Sequence, residues 1–219
     1  MFNREMELWP EASVYTVNAD GQDVMDSMRP YRHGNLPAAL LAAARQILDE
    51  NGLQAVGLRE TARRVGVSAT AAYRHFTNKE DLLASVAAQG FHELAAAMQN
   101  ATRGAAPLVR AGLAYIEFAN QNRGLFRLMF GPVLAERTKY PALQAASAEV
   151  EAVLLRGVTD IDPRPLQDNH AAMAAWGLVH GLAHLIVDGL FPSSRAAIQA
   201  EEILAKVRLP RPSASAPAE

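Results

Sequence analysis

The chain has 219 residues, half of them hydrophobic, with 20% charged side chains and a formal net charge of −2. That is enough apolar material for one large or two modest domains, and too much for a chain disordered throughout. The absence of cysteine excludes a disulfide framework and any thiolate metal site, and suits a reducing, cytoplasmic setting.

The charge is unevenly spread. Residues 1–28 hold one Arg against six acids, residues 29–80 carry a net +4, and residues 81–219 a net −1. The N-terminus lacks a basic start followed by an apolar run, so no secretory signal is expected. Residues 1–28 show no sustained period and are expected to be a low-order extension, with Met25 or Met28 offering a later start. Arg29, Tyr31, Arg32 and His33 follow as a short basic arm, either lying on phosphates or in a minor groove, or forming a solvated linker.

Asn35 caps a first helix with Pro37 in its first turn. Its inner stripe is Leu36, Leu40, Ala43, Ala44, Ile47 and Leu48, and it stops at Gly52. From Leu58 to Val65, Leu58, Thr61, Ala62 and Val65 recur at i, i+3, i+4, i+7, the inward face of a short amphipathic helix. Gly57 stands at its N-cap, Glu60 is placed to reach back to free backbone N–H groups, and Gly66 offers a positive φ at its end. Ser68 caps the next helix, in which Ala72 and Phe76 point inward. Two short helices joined by a Gly-containing turn make either a plain αα-hairpin or a helix-turn-helix. The outward residues shift the balance towards the second. Ala69 and Thr70 are small enough for close approach to bases, and Tyr73, Arg74 and His75 suit phosphates at the edges, where a solvated face would carry Glu and Lys.

The pattern GVS-x4-YRHF-x2-K-x2-LL, Gly66 to Leu83, resembles the DNA-binding signature of the TetR (tetracycline repressor) family of bacterial regulators, over about fifty residues from Asn35. The resemblance implies an N-terminal three-helix domain that binds operator DNA within a homodimer, and a larger helical domain that binds an inducer. By position it implies DNA contacts from Arg59 and from Ser68, Ala69 and Thr70, and phosphate contacts from Tyr73, His75 and Lys79. Leu58 departs from the Thr or Ser often found there, which puts one hydroxyl contact in doubt.

Asn78 caps a further helix reaching about Asn100, with Leu82, Leu83, Val86, Phe91 and Leu94 inward. Lys79 in its first turn is unfavourable for the helix dipole unless a phosphate lies opposite. Beyond Pro107 the periods give helices at about 107–122, 123–130, 140–157, 165–190 and 195–207, broken at Gly131-Pro132, Asp160 to Pro165 and Pro192-Ser193. No segment alternates with period two. The apolar stretch Ala171 to Phe191 contains His180, His184 and Asp188, costly at a bilayer centre, and is expected to be a buried helix. The Pro, Ala and Ser tail, 210–219, is expected to be disordered.

Ala174 to Gly189, with Trp176, His180 and Gly181, resembles the C-terminal domain of a TetR subgroup named for its Trp-His-Gly residues, and Tyr115 to Pro132 resembles the same subgroup. The resemblance implies that the last two long helices pair across a twofold axis, which places Gly177, Gly181 and His184 at a dimer interface. His180 and His184 stand one turn apart, a spacing open to Zn²⁺, but without HExxH or Cys core histidines are the better reading and no metal is expected. Tyr115, Phe118, Phe126, Met129, Phe130 and Trp176 are candidates to line an apolar pocket with His180 as a polar contact; plain core is the alternative for each. There is no Gly-rich phosphate loop, no GxSxG elbow and no placed carboxylate pair, so neither catalysis nor a cofactor is expected.

The expectation is therefore an all-α protein. It has an extension (1–28), a helix-turn-helix domain with basic arm (29–80), a helical effector-binding and dimerisation domain (81–209) and a tail (210–219). The expected function is a homodimeric, cytoplasmic, ligand-responsive regulator, a repressor released from a palindromic double-stranded operator by a small molecule, with no membrane association. The competing reading is a helical enzyme or ligand carrier with a vestigial helix-turn-helix, and a third is an architectural DNA-binding protein without effector.

Overall fold

The computed structural model describes residues 35–103, 106–159, 164–165, 169–191 and 193–207. The expected extension, the basic arm and the tail lie outside them. Among the described residues every regular element is helical: nine α-helices and three short 3-10 turns.

The first helix, α1 (Leu36–Asn51), starts where Asn35 accepts the Ala38 N–H at 3.2 Å and ends at Gly52. It buries Leu40, Ala43, Ala44, Ile47 and Leu48, as its 3.6-residue period dictates. A 3-10 turn, Leu53–Ala55, leads to α2 (Leu58–Val65) and α3 (Ala69–Tyr73). The tight bend between α2 and α3 depends on Gly66, whose φ of 78° is left-handed and whose N–H closes on the last α2 carbonyls. Glu60 does not reach back to the N-terminus of α2: Arg63, three residues on, takes both its carboxylate oxygens at 2.7 and 2.8 Å. A nearby guanidinium outcompetes a backbone N–H for a carboxylate.

The longest helix, α4 (Lys79–Ala101), is capped by Asn78, which accepts the Asp81 N–H at 2.8 Å. Its first turns pack against α1 and its later turns against α5 (Pro107–Gln121), α6 (Arg123–Phe130) and α7 (Pro141–Val158). Leu82, Leu83 and Val86 share a continuous core with Leu40, Leu58, Ala72 and Phe76 on one side and with Phe91, Leu94, Leu125 and Met129 on the other. Close approach of α6 to α4 rests on Gly90, where a Cβ would lie 2.6 Å from Leu125 Cδ2 and 2.7 Å from Met129 Sδ.

Two helices, α8 (His170–Val187) and α9 (Ser193–Lys206), complete the molecule and pack on α5. The expected start of α8 at residue 165 is corrected to His170. Asn169, wholly buried, accepts the Ala172 N–H at 2.8 Å and so fixes the helix there. The expectation that this stretch is buried throughout is also corrected. Ala171, Ala172, Ala175, Leu182, Ala183, Ile186 and Val187 face the core, while Met173, Trp176, Gly177, Gly181 and Leu185 lie on an exposed face. By length and mean hydropathy (1.3) α8 is apolar enough to cross a membrane, the sole such helix among the described residues. Here it serves as a half-buried layer against α5, α7 and α9.

Candidate functional site

The small N-terminal helices present one polar surface. Ser68, Thr70, Tyr73, Arg74 and His75 are exposed, with Ala69 half-buried among them, whereas Ala72 and Phe76 are buried beneath. Packing of α3 through Ala72 thus turns its other side outward. Ser68 also accepts the Ala71 N–H at 3.2 Å, which holds the start of α3. The helix ends at Tyr73, so Arg74 and His75 stand on the following turn, which the Phe76 N–H closes onto the Ala72 carbonyl. On α2, Arg63 pairs with Glu60 and Arg64 with Glu50 at 2.6 Å, while Arg59 is exposed and has no ion pair among the described residues. Arg59 and Arg74 are therefore cations that no carboxylate among the described residues neutralises. Lys79 is placed differently from the expectation: its ammonium donates to the carbonyls of Leu53 (3.3 Å) and Gln54 (3.4 Å). These carbonyls, rather than a phosphate alone, account for a lysine in the first turn of α4.

A cavity of about 1090 Å³ opens between α4, α5, α7 and α8. Of the predicted lining, Tyr115, Phe130, Trp176 and His180 do face it. Phe118, Phe126 and Met129 do not; they are corrected to core, with Phe126 and Met129 almost wholly buried. Helical periodicity separates inside from outside, but it does not separate a void from packed interior. Phe126 holds the wall from behind, its ring 5.8 Å from that of Tyr115, 4.8 Å from Phe130 and 5.7 Å from His180. Such edge-on and tilted aromatic contacts fix ring positions.

The polar groups of the cavity are few and linked. The Tyr115 hydroxyl is hydrogen-bonded to Nδ1 of His180 at 2.8 Å, in a direction set by the imidazole tautomer. Burial pushes the Tyr115 phenol well above its usual range, with the Trp176 indole and Arg137 acting in the opposite direction. The phenol therefore keeps its proton. Burial, then the neighbouring His184 and Arg137, depress His180 to about 4, so its ring is neutral at physiological pH and carries one proton. Among the described residues no three His, Cys, Asp or Glu side chains group as a metal site.

Sequence reasoning missed Arg137, Phe91 and Met98, all of which face the cavity. Arg137 sits on the 3-10 turn Arg137–Lys139, in a segment whose residues show no period; its guanidinium lies 4.8 Å from the Phe91 ring centroid and 5.6 Å from that of Phe130. Also missed was the connection of α6 to α1. Arg45 donates from Nη2 to Asn122 Oδ1 at 2.6 Å and reaches Asp49 and Glu93 with the rest of its fork. At its other end α6 supplies Phe130 to the cavity, while Arg127 donates to the Val187 carbonyl (2.7 Å) and Asp188 (3.1 Å) at the C-terminus of α8.

Gly177 and Gly181 lie on the exposed face of α8, and a Cβ at either would meet nothing within 4 Å. His184 is half-exposed, 4.0 Å from Asp188 and edge-on to Phe126.

Comparison with known proteins accounts for both regions. A family model described as bacterial regulatory proteins, tetR family, matches residues 40–86, and one described as tetracyclin repressor-like, C-terminal domain, matches residues 108–206. A Rhodococcus sp. RHA1 protein of unknown function is 29% identical, with a TM-score of 0.63, covering 80% of this chain and 96% of its own. The TetR family transcriptional regulator PfmR from Thermus thermophilus is 22% identical with a TM-score of 0.52, covering 76% and 94%. A TetR/AcrR family regulator from Thermobifida fusca is 16% identical with a TM-score of 0.59, covering 79% and 98%. The last two likenesses are of fold.

Proposed function

The chain carries in succession the DNA-binding domain of the tetR family of bacterial regulatory proteins and a tetracycline repressor-like C-terminal domain, and from that premise we propose a homodimeric cytoplasmic repressor that a small molecule releases from a palindromic operator. That it is a ligand-responsive DNA-binding regulator rather than an enzyme follows from the two domains.

One observation carries it. The exposed polar surface of α3 and the cavity are joined by α4, which leaves Asn78 beside the surface and supplies Phe91 and Met98 to the cavity; α6, tied at its start to α1 by Arg45, supplies Phe130. A molecule that fills the cavity must favour one setting of these helices, and it weakens DNA binding by the difference in its affinity for the two settings, commonly about 1–3 kcal/mol. In this reading Thr70 and Ala69 face bases. Arg59, Ser68, Tyr73, Arg74 and His75 meet the DNA around them, with Lys79 bracing the turn before α2 and its charge near the backbone. A twofold dimer through the exposed face of α8, with α9, would set two α3 helices about 34–36 Å apart, one DNA turn. Residues 29–80 then act as the reading head and 81–209 as the effector and dimer domain. Placement in the subgroup named for Trp-His-Gly rests on Trp176, His180 and Gly181 together with the stretch from Tyr115 to Pro132.

Selection from random duplexes, followed by titration of the winner at several salt concentrations, tests the reading. A palindrome bound at nanomolar Kd with a steep salt slope supports it. Recovery of no common sequence refutes it.

A further inference from the structure

We infer that the cavity takes an amphipathic ligand ending in a carboxylate, and that Arg137, assisted by the Nε2–H of His180, is the group that holds it. The inference rests on the cavity being the effector site.

Arg137 differs from two other half-buried arginines, Arg45 and Arg64. Arg45 and Arg64, with side chains 20% and 28% exposed, each lie within 4 Å of a carboxylate of the protein. Arg137 turns into the cavity over two phenylalanine rings, gives one N–H to the Met129 carbonyl at 3.1 Å, and has no ion pair among the described residues. A guanidinium offers five donors in a fixed fork, so most of the fork is uncommitted. Glu151, the acid among the lining residues, is exposed on α7 and acts on Arg137 electrostatically from beyond ion-pair distance.

The remaining polar groups point to the same chemistry. In the His180 tautomer with its proton on Nε2, Tyr115 gives its hydroxyl proton to Nδ1, and Ser147 gives its own to the Gln144 carbonyl at 3.0 Å. The Nε2–H that Tyr115 leaves on His180 has no partner among the described residues. Apart from Glu151, which acts on Arg137 from a distance, the side chains of the inner cavity thus present donors, the complement of an acceptor-only group. A carboxylate matches the flat fork bidentately and carries one charge for one cation. A dianion would leave a second charge uncompensated in an apolar wall. Met98, Leu108, Val150, Leu154 and Leu204 supply that wall and suit an alkyl or aryl body.

The test is calorimetric titration of the full chain at neutral pH with decanoate, decanol and decylamine, each below its micellar concentration. Decanoate should bind at least about tenfold more tightly than decanol, with decylamine weakest, as expected for a charge-assisted hydrogen-bonded pair. Arg137→Gln should bring decanoate down to the level of decanol without changing decanol, and Arg137→Lys should keep part of the preference. Equal binding of decanoate and decanol to the parent protein, an undiminished preference in Arg137→Gln, or no binding by any of the three overturns the inference. Circular dichroism establishes that each variant is folded; if Arg137→Gln is not, the parent's ratio and the Lys variant decide. Specific binding of the ligand-free protein to selected DNA, measured alongside, tests the regulator reading separately. Decanoate binding without specific DNA binding would sink that reading and leave this one standing.

Discussion

Replacing Gly181 by Leu separates the interior of a protomer from its proposed partner. A Cβ at position 181 meets nothing within 4 Å, so the larger side chain has room on the isolated protomer. In the middle of α8, Gly→Leu removes a helix-propensity penalty of about 0.8–1 kcal/mol, and the protomer should lose no helix. At a two-helix interface built on small residues the same side chain forces backbones apart, at about 1–3 kcal/mol for an overpacked contact. A twofold axis presents the substitution from both sides, so the dimer should lose about 2–6 kcal/mol, at least ~30-fold in Kd. Sedimentation equilibrium over a dilution series reads the dimer constant, and far-ultraviolet circular dichroism reads helicity. An unchanged dimer constant would place the interface elsewhere. Loss of helicity together with the dimer would show that residue 181 collides within the protomer, against the geometry of α8.

Tyr73→Ala removes a half-exposed side chain and should weaken binding to all duplexes alike, by about 1.5–3 kcal/mol if the hydroxyl meets a phosphate; electrophoretic titration on several sequences would show a changed base preference if this is mistaken. Thr70→Ala should leave non-specific affinity intact and relax selectivity at particular base pairs, and repeating the duplex selection with the variant would expose an unaltered motif as a refutation. Thr61 is wholly buried on α2 with a hydroxyl that has no hydrogen-bond partner among the described residues, so Thr61→Val should raise stability by about 1 kcal/mol or more in urea denaturation; a lower midpoint would contradict the assignment. Because His180 falls from 6.5 to about 4 on folding, the unfolded chain binds more protons between those values. Stability should therefore be full above about pH 6.5 and decline as pH falls towards 4. His180→Gln, which keeps an acceptor for Tyr115, should flatten that part of the profile, and an unchanged slope would show that another group carries it.

Boundaries set by local chemistry were legible before the structure. Asn35, Gly66 and Asn78 each act on backbone within four residues, and α1, α2, α4 and α6 begin and end where caps and breakers predict. Competition between nearby groups was less legible: Arg63 intercepts Glu60, and the carbonyls of Leu53 and Gln54 occupy Lys79, because partners three or twenty-five residues away reach the same atom. Asn169 fell inside a helix expected to start at residue 165, since its buried amide is a cap only once the core surrounds it. The outward set on α3 followed from the inward pair Ala72 and Phe76, since five residues of helix leave little choice. The cavity was half legible. Tyr115, Phe118, Phe126 and Met129 all read as inward, yet only the spacing of α4, α5, α7 and α8 determines which of them borders a void. Arg137 sits where no period operates and its role follows from the two rings beneath it.

Trp176 has a place in two surfaces at once. Its indole borders the cavity and stacks on His180 at 5.1 Å between centroids, yet 38% of the residue remains exposed on the outer face of α8, next to Met173, which is shared in the same way. In the proposed dimer that outer face is covered, so a single ring would touch the occupant of the cavity on one side and the second subunit on the other. Protein concentration would then be an effector in its own right: dilution that empties the outer face would also release the ring that closes the cavity, and apparent ligand affinity would vary with the amount of protein in the tube.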